Sequence, residues 1–159
     1  MTLAYLFWHR PLADVESDDY EDALADFHAS LEVVSAAFRL AALPFDPGGG
    51  YEDWYLVDGF AGLEALQAAA VADVRRREHD AAAARSAQGW GGVYALLRGE
   101  PEPPPATRWL AKPRGQSYET FLQTLASPTV WQRQLVLGPA PEFCVVDEHA
   151  PAAGRARVA

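Results

Sequence analysis

Trp8, His9 and Arg10 stand together at the end of the first apolar segment, and their residue types suit chemistry better than any other cluster in the chain. Histidine exchanges protons near neutral pH, and arginine can hold a carboxylate through two hydrogen bonds. Tryptophan supplies a flat apolar wall beside them. These residues predict His9 and Arg10 as candidate catalytic residues and Trp8 as a ligand contact. The alternative is a strand end with one core tryptophan and two exposed polar side chains.

Further polar residues lie within or directly after apolar strand segments. Asp58 shares the strand parity of Trp54, and Lys112 ends the segment that contains Trp109. A buried charge is costly unless it is paired, so such residues are paired, lie at a rim or face a wet pocket. We predict that Trp54, Asp58, Trp109 and Lys112 contact a ligand. In the alternative, the charged residues lie in solvent at strand ends or form one structural ion pair.

The remaining reactive residue types give weaker signals. His28 lies on or beside the apolar stripe of a helix, where it suits a core or boundary histidine, a base or a haem ligand. Cys144 lies in an apolar strand and is predicted to be an inert core residue. His79 and Asp80 are adjacent on a predicted helix, so their side chains diverge, and no metal site is predicted.

Strand and helix patterns alternate along the chain. Helical spacing of apolar residues predicts helices over 20–34, 61–85 and 118–126. Strands are predicted over 3–8, 37–43, 53–58, 93–97, 107–112, 131–137 and 143–146, with a glycine-rich loop over 88–92. The strand 3–8 is apolar on both faces, which indicates that both faces are covered.

The predicted order is β-α-β-β-α-β followed by β-α-β-β. The proline-rich stretch 100–106 is the one plausible internal boundary. We therefore predict a first repeat over 1–99, a partial second repeat over 106–147 packed on the first as one compact unit, and a disordered tail over 148–159.

Composition excludes several classes of protein. The 159 residues carry a net charge of -9, which argues against nucleic acid and anionic membranes as partners. One cysteine excludes an internal disulfide framework and a cysteine-based zinc site. The first residues lack a signal-peptide pattern, and no apolar run is long enough to span a membrane. We expect a cytoplasmic protein, and the abundance of alanine and arginine is typical of a GC-rich bacterial genome.

The segments 51–60 (YEDWYLVDGF), 63–66 (LEAL) and 135–144 (LVLGPAPEFC) carry a family resemblance. They resemble the dimeric α/β-barrel superfamily of ferredoxin-like proteins, and an uncharacterised bacterial family within it. The resemblance implies an α+β, ferredoxin-like fold that closes a barrel within the chain or by dimerisation, with a cavity between facing sheets. Some members are cofactor-free oxygenases or isomerases and some bind haem, but no catalytic motif of theirs can be placed on this chain.

Four hypotheses of function follow from these features. The leading one is an uncharacterised protein that binds a small aromatic or anionic molecule in a sheet-lined cavity, without a cofactor. The second is a cofactor-free oxygenase or isomerase in which His9 is the base and Arg10 or Lys112 holds an anion. The third is a haem protein with His28 or His9 as axial ligand, and the fourth is a purely structural or interaction module. A homodimer is possible in each case.

Overall fold

The computed structural model describes residues 1–137, 139–146 and 154–159. The described residues form eight strands: β1 (Thr2–Pro11), β2 (Ser35–Leu40), β3 (Gly50–Asp58), β4 (Ser86–Arg98), β5 (Thr107–Leu110), β6 (Val130–Leu137), β7 (Phe143–Val146) and β8 (Arg155–Arg157). They also form four helices: α1 (Ser17–Ser30), α2 (Gly59–Ala70), α3 (Arg76–Ala83) and α4 (Tyr118–Thr124).

All eight strands belong to one antiparallel sheet, in the order β5-β7-β6-β4-β1-β3-β2-β8. β4 is 13 residues long and pairs with β1 along one edge and with β6 along the other. Through this double pairing, the strands that follow the proline-rich linker extend the first sheet and do not build a second one. The predicted ferredoxin-like unit with a degenerate repeat, closed as an α/β barrel within the chain or by dimerisation, is therefore wrong. The sheet is a curled half-barrel.

Curling of the sheet covers its inner face. β1 and β5 are four positions apart in the strand order, which would separate them by about 19 Å on a flat sheet. The ring centroids of Trp8 on β1 and Trp109 on β5 are nevertheless only 5.4 Å apart. The inner core also includes Trp54 and Trp131, both fully buried. The inner face of a strand that is apolar on both faces is thus covered by other strands of the same curled sheet.

Helices cover the outer face of the sheet. Leu24 and Phe27 of α1 and Leu66 of α2 pack against outward side chains of β1, β3 and β4. The shorter α4 packs Phe121 against β6 and β7 in a separate cluster. This arrangement places α1, α2 and α3 over the centre of the sheet, where the candidate site lies.

Three local predictions differ from the structure. The predicted helix over 61–85 is divided into α2 and α3, and Arg75 in the break donates a hydrogen bond to the Ser30 carbonyl at the end of α1. The predicted loop over 88–92 is the first half of β4. Of the tail predicted to be disordered, residues 148–153 lie outside the described part of the chain, while Arg155–Arg157 form β8 and pair with β2.

Candidate functional site

The outer face of the sheet carries an aromatic and polar row from two adjacent strands. On β1, Tyr5, Phe7 and His9 alternate with inward residues, and Phe7 stacks on both of its neighbours. The antiparallel register places Asp53 of β3 opposite Phe7, diagonal to His9. Adjacent strands therefore bring an imidazole and a carboxylate together beneath the helices.

A cavity of about 580 Å³ lies between this row and helices α1, α2 and α3. Most of its wall is apolar. Glycine in β4 leaves room for side chains on the sheet side of the cavity. A Cβ atom on Gly91 would lie 2.9 Å from the Tyr5 hydroxyl oxygen. The polar and titratable side chains that line it are Tyr5, His9, Asp53, Tyr55, Gln67, His79 and Ser86.

Asp53 is buried at the floor of this cavity and is surrounded by three polar side chains. Its Oδ2 accepts a hydrogen bond of 2.8 Å from the Tyr55 hydroxyl. Its Oδ1 lies 3.1 Å from His9 Nε2 and 3.6 Å from His28 Nε2. His28 is itself held by a parallel stack on Tyr55, with ring centroids 5.0 Å apart.

These neighbours set the ionisation of the site. Burial alone raises the pKa of a carboxyl group, but the imidazoles of His9 and His28 outweigh it and hold the pKa of Asp53 well below its ordinary value. Burial and the Asp53 charge raise the pKa of Tyr55 well above its ordinary value. At neutral pH, Asp53 is thus a carboxylate and Tyr55 a phenol that donates to it.

Two polar atoms on the cavity floor lack a hydrogen-bond partner among the described residues. His9 Nε2 and Asp53 Oδ1 face each other at 3.1 Å, but the contact is not aligned as a hydrogen bond, and both atoms are buried. A buried polar group without a partner costs about 1–3 kcal/mol. Such atoms at the base of an apolar cavity are typical of a site that contacts a ligand.

A chain of contacts leads from Asp53 back to the cavity wall. His9 Nδ1 lies 2.5 Å from the Tyr20 hydroxyl, and that hydroxyl lies 2.7 Å from Ser86 Oγ. Ser86 Oγ also donates to the Ala82 carbonyl at 3.2 Å. Burial is the main cause that raises the pKa of Tyr20, so its hydroxyl keeps its proton. We call Ser86, Tyr20, His9 and Asp53 the polar chain.

A second buried carboxylate lies on the opposite face of β3. Glu52 is fully buried and accepts hydrogen bonds of 2.7 Å from the indole N–H groups of Trp8 and Trp54. Arg155 on β8 donates to its Oε1 at 2.8 Å, and the Arg155 guanidinium lies 3.8 Å from the centroid of the Phe38 ring. Glu52 is thus fully paired within the inner core.

The structure separates the residues predicted to form one site. His9 lines the cavity, but Arg10 turns away from it, donates to Asp46 at 2.6 Å and holds the loop over 46–50. Trp8, Trp54 and Trp109 belong to the inner core, on the other side of the sheet.

The two remaining predicted residues, Asp58 and Lys112, lie neither at the cavity nor in the inner core. The Asp58 side chain is 95% exposed and pairs with the amino terminus of the chain. Lys112 donates to the carbonyl of Gln116 at 2.6 Å and lies over the Tyr118 ring. His9, Asp58 and Lys112 therefore do not converge on one cavity.

Sequence reasoning missed most of the residues that accompany His9. The sequence predicts a strand that begins at Asp53, although two consecutive acidic residues, Glu52 and Asp53, inside an apolar strand are a signal of buried pairing. Tyr20 is the first residue of the predicted helix over 20–34, and helical spacing carries no information about its hydroxyl. Ser86 offers no local signal, because it meets Tyr20 only through the fold.

The ring nitrogens of the two histidines predicted as haem ligands differ in their contacts. His9 Nδ1 contacts Tyr20 and His9 Nε2 faces Asp53. His28 Nε2 faces Asp53 and Tyr55, while His28 Nδ1 has no hydrogen-bond partner among the described residues. Haem binding stays a prediction from the sequence. Among the described residues, no group of three or more His, Cys, Asp or Glu is placed to hold a metal ion.

Comparison of the chain with protein families, with curated proteins and with solved structures found no match. The resemblance to the dimeric α/β-barrel superfamily therefore stays a prediction from sequence motifs. None of the helices in the described part of the chain combines the length and the apolar character needed to cross a bilayer.

Proposed function

We propose that the chain binds a small, largely apolar aromatic molecule in the cavity between its helices and the outer face of the sheet. The observation that supports this most directly is the pair of unpartnered atoms, His9 Nε2 and Asp53 Oδ1, at the floor of an otherwise apolar cavity. A ligand hydroxyl or amine that donates to Asp53 would satisfy the buried carboxylate, while the ring packs against Phe7 and Phe27.

The lining favours an aromatic ligand over an anionic one. Asp53 is a carboxylate at neutral pH, and no lysine or arginine of the described residues lines the cavity to hold an anion. An anionic group placed here would lie beside a like charge in a poorly solvated site, which is unfavourable.

Three fluorescent probes of one shape test this proposal: 2-naphthol, naphthalene and 2-naphthoate. The hydroxyl of 2-naphthol can donate to Asp53, and a hydrogen bond to a charged group contributes about 1.5–3 kcal/mol, or roughly 10- to 150-fold in affinity. We expect 2-naphthol to bind more tightly than naphthalene, and 2-naphthoate to bind least. In Asp53→Asn, the preference for 2-naphthol should largely disappear, whereas Asp58→Asn at the exposed end of the same strand should keep it.

A paired substitution on α2 locates the binding. Ala70 lines the cavity, while Ala68 on the same helix is exposed. Ala70→Trp should abolish probe binding, and Ala68→Trp should not change it. Tightest binding of 2-naphthoate, or equal binding by the two tryptophan variants, would refute the proposal.

A cytoplasmic setting stays a prediction from the sequence. The possible homodimer and the exclusion of nucleic acid and membranes as partners stay predictions from the sequence.

A further inference from the structure

Both ends of the polar chain open on the same cavity. Asp53 and Ser86 line its wall, while Tyr20, which joins Ser86 to His9, lies behind the wall and is fully buried. A row of groups that can each accept one proton and release another is a route for proton transfer. A ligand in this cavity would therefore meet a proton acceptor at one end of the chain and a proton donor at the other.

The hydrogen bonds of the polar chain have two complete arrangements. In the first, His9 Nδ1–H donates to Tyr20, Tyr20 donates to Ser86, and Ser86 donates to the Ala82 carbonyl. His9 Nε2 is then a free acceptor that faces Asp53 Oδ1 at 3.1 Å. In the second, the two hydrogen bonds of Tyr20 are reversed: Ser86 donates to Tyr20 and no longer to the Ala82 carbonyl, Tyr20 donates to Nδ1, and Nε2–H points at Asp53.

The first arrangement explains the two unpartnered atoms on the cavity floor. His9 Nε2 and Asp53 Oδ1 are both acceptors there, and one proton delivered between them would join them. Asp53 Oδ1 has no donor in this arrangement and lies 3.1 Å from Nε2, so the imidazole is the next acceptor for a proton that the carboxylate takes up.

We propose that the polar chain is a proton relay and that the cavity isomerises small, weakly polar unsaturated ketones. The inference rests on the proposed binding of a small molecule in this cavity. In the reaction, the C–H bond next to the carbonyl breaks and its proton goes to Asp53 and on to His9 Nε2. Each later group passes its own proton to the next one: His9 Nδ1 to Tyr20, and Tyr20 to Ser86. Ser86 delivers its original proton to the γ carbon, and the double bond moves into conjugation with the carbonyl.

The step balances without a further reactant. One proton enters at Asp53 and one leaves at Ser86, the electron pair of the broken C–H bond becomes part of the dienolate, and no group is oxidised or reduced. The relay ends in the second arrangement. Loss of the Nε2 proton to solvent and uptake of a proton from solvent at Ser86, both through the cavity mouth, return it to the first.

The wall of the cavity favours a ketone as substrate. The Tyr5 hydroxyl lies at this wall beside Gly91 and has no hydrogen-bond partner among the described residues. It can donate to a carbonyl oxygen and stabilise the negative charge that develops there. Burial and Asp53 raise the pKa of Tyr5, so that it remains a proton donor.

The test uses 3-cyclohexen-1-one, whose conversion to the conjugated 2-cyclohexen-1-one is followed by ultraviolet absorbance. We expect turnover by the wild-type chain and a loss of about 100-fold in kcat for Tyr20→Phe and for Ser86→Ala, which interrupt the relay at two points. Tyr51→Phe is the control, because Tyr51 stacks on His9 but donates to Glu21, outside the polar chain. Its kcat should stay within twofold of wild type.

The position of deuterium in the product distinguishes a relay from a purely structural role of Tyr20. In D2O, the wild-type product should carry deuterium at the γ carbon, because Ser86 delivers an exchanged proton. In Tyr20→Phe, the residual reaction depends on Asp53 alone, so the fraction of the original protium found at the γ carbon should rise. Unchanged kcat in both Tyr20→Phe and Ser86→Ala, or protium transfer by the wild type, overturns the relay.

Binding of 2-naphthol to the same samples separates the two proposals. If 2-naphthol binds but the ketone is not converted, the isomerase inference is wrong and the proposed binding function stands. If 2-naphthol does not bind, both fall. Circular dichroism of each variant establishes that it is folded, and the two relay variants alter different elements, α1 and the start of β4, so that one remains informative if the other unfolds.

Discussion

Replacing Arg155 with methionine tests how the end of the chain is held in the inner core. The Arg155 side chain is 9% exposed and Glu52 is fully buried, with 2.8 Å between Nη1 and Oε1. Removing one partner of a buried ion pair costs about 3–5 kcal/mol, because the other charge is left without compensation. Trp8 and Trp54 would still donate to Glu52, but two neutral indoles do not replace a guanidinium.

For a chain of this size, 1 kcal/mol corresponds to about 2–4 °C in Tm, so Arg155→Met should lower Tm by roughly 6–20 °C. Urea unfolding gives the free energy, and calorimetry gives Tm. Arg157→Met is the matched control, since Arg157 lies on the same strand, is exposed and donates only to the Ala159 carbonyl in the described part of the chain. It should change the unfolding free energy by no more than about 0.5 kcal/mol.

A double substitution isolates the charge from the packing. Glu52→Gln in the Arg155→Met background removes the unpaired charge, so much of the lost stability should return. The reasoning is refuted if Arg155→Met is as mild as Arg157→Met, because the guanidinium would then lie outside the core in solution.

Two further predictions concern other parts of the structure. The pKa of Asp53 is lower in the folded state than the unfolded value of about 3.9, so its contribution to stability is complete above that pH and is lost as the pH falls. The difference in unfolding free energy between wild type and Asp53→Asn should therefore shrink below about pH 4 in urea titrations, and a constant difference would contradict the pairing. Gly99 and Gly115 both have positive φ (97° and 81°), but a Cβ on Gly99 would lie 2.7 Å from Thr129 Cα, while Gly115 has open space. Gly115→Ala should cost only the backbone strain of about 1–2 kcal/mol, and Gly99→Ala should cost clearly more; equal losses would show that Thr129 moves aside.

Local sequence patterns predict many of the strands and helices, but they do not predict how the strands pair in the sheet. The strand over 143–146 is observed at the predicted bounds, and the helix predicted over 118–126 is observed as Tyr118–Thr124. These features depend on a few neighbouring residues. Whether β6 pairs with β4 or belongs to a second sheet depends on contacts between residues about 40 positions apart, which strand periodicity does not encode.

The glycines of β4 show why the middle of the sheet was misread. Gly89, Gly91 and Gly92 are typical of a loop, but here they lie in a strand whose outer face is crowded by rings from β1. A Cβ on Gly89 would lie 2.3 Å from the Phe7 ring. Glycine at this position makes room for the aromatic row that borders the cavity, so a residue that predicts a loop from sequence is a condition for the site.

His9 is predicted from its residue type and its place at the end of the first strand, both of which are local properties, and alternation along β1 puts it on the face of Tyr5 and Phe7. Parity also put Asp58 on the face of Trp54, but Asp58 is the last residue of β3 and lies in solvent. The partners of His9 come from β3, α1 and the start of β4, and only the tertiary fold brings these elements to one point. A candidate residue was therefore predictable from sequence, and its surroundings were not.

The two adjacent carboxylates of β3 differ in how they are paired and in what they face. Both are buried, and they differ by one position and hence by the face of the sheet. Each Glu52 oxygen has an indole donor, and Arg155 supplies the opposite charge, so nothing remains for a ligand. Asp53 has one oxygen bonded to Tyr55 and another that faces an unaligned imidazole at the floor of a cavity. Arg155 Nε and Trp131 Nε1 of the inner core also lack a partner, so an unpartnered atom alone does not mark a ligand site. Asp53 differs from them because it lines a cavity, where under the proposed function a bound molecule would supply the missing contact.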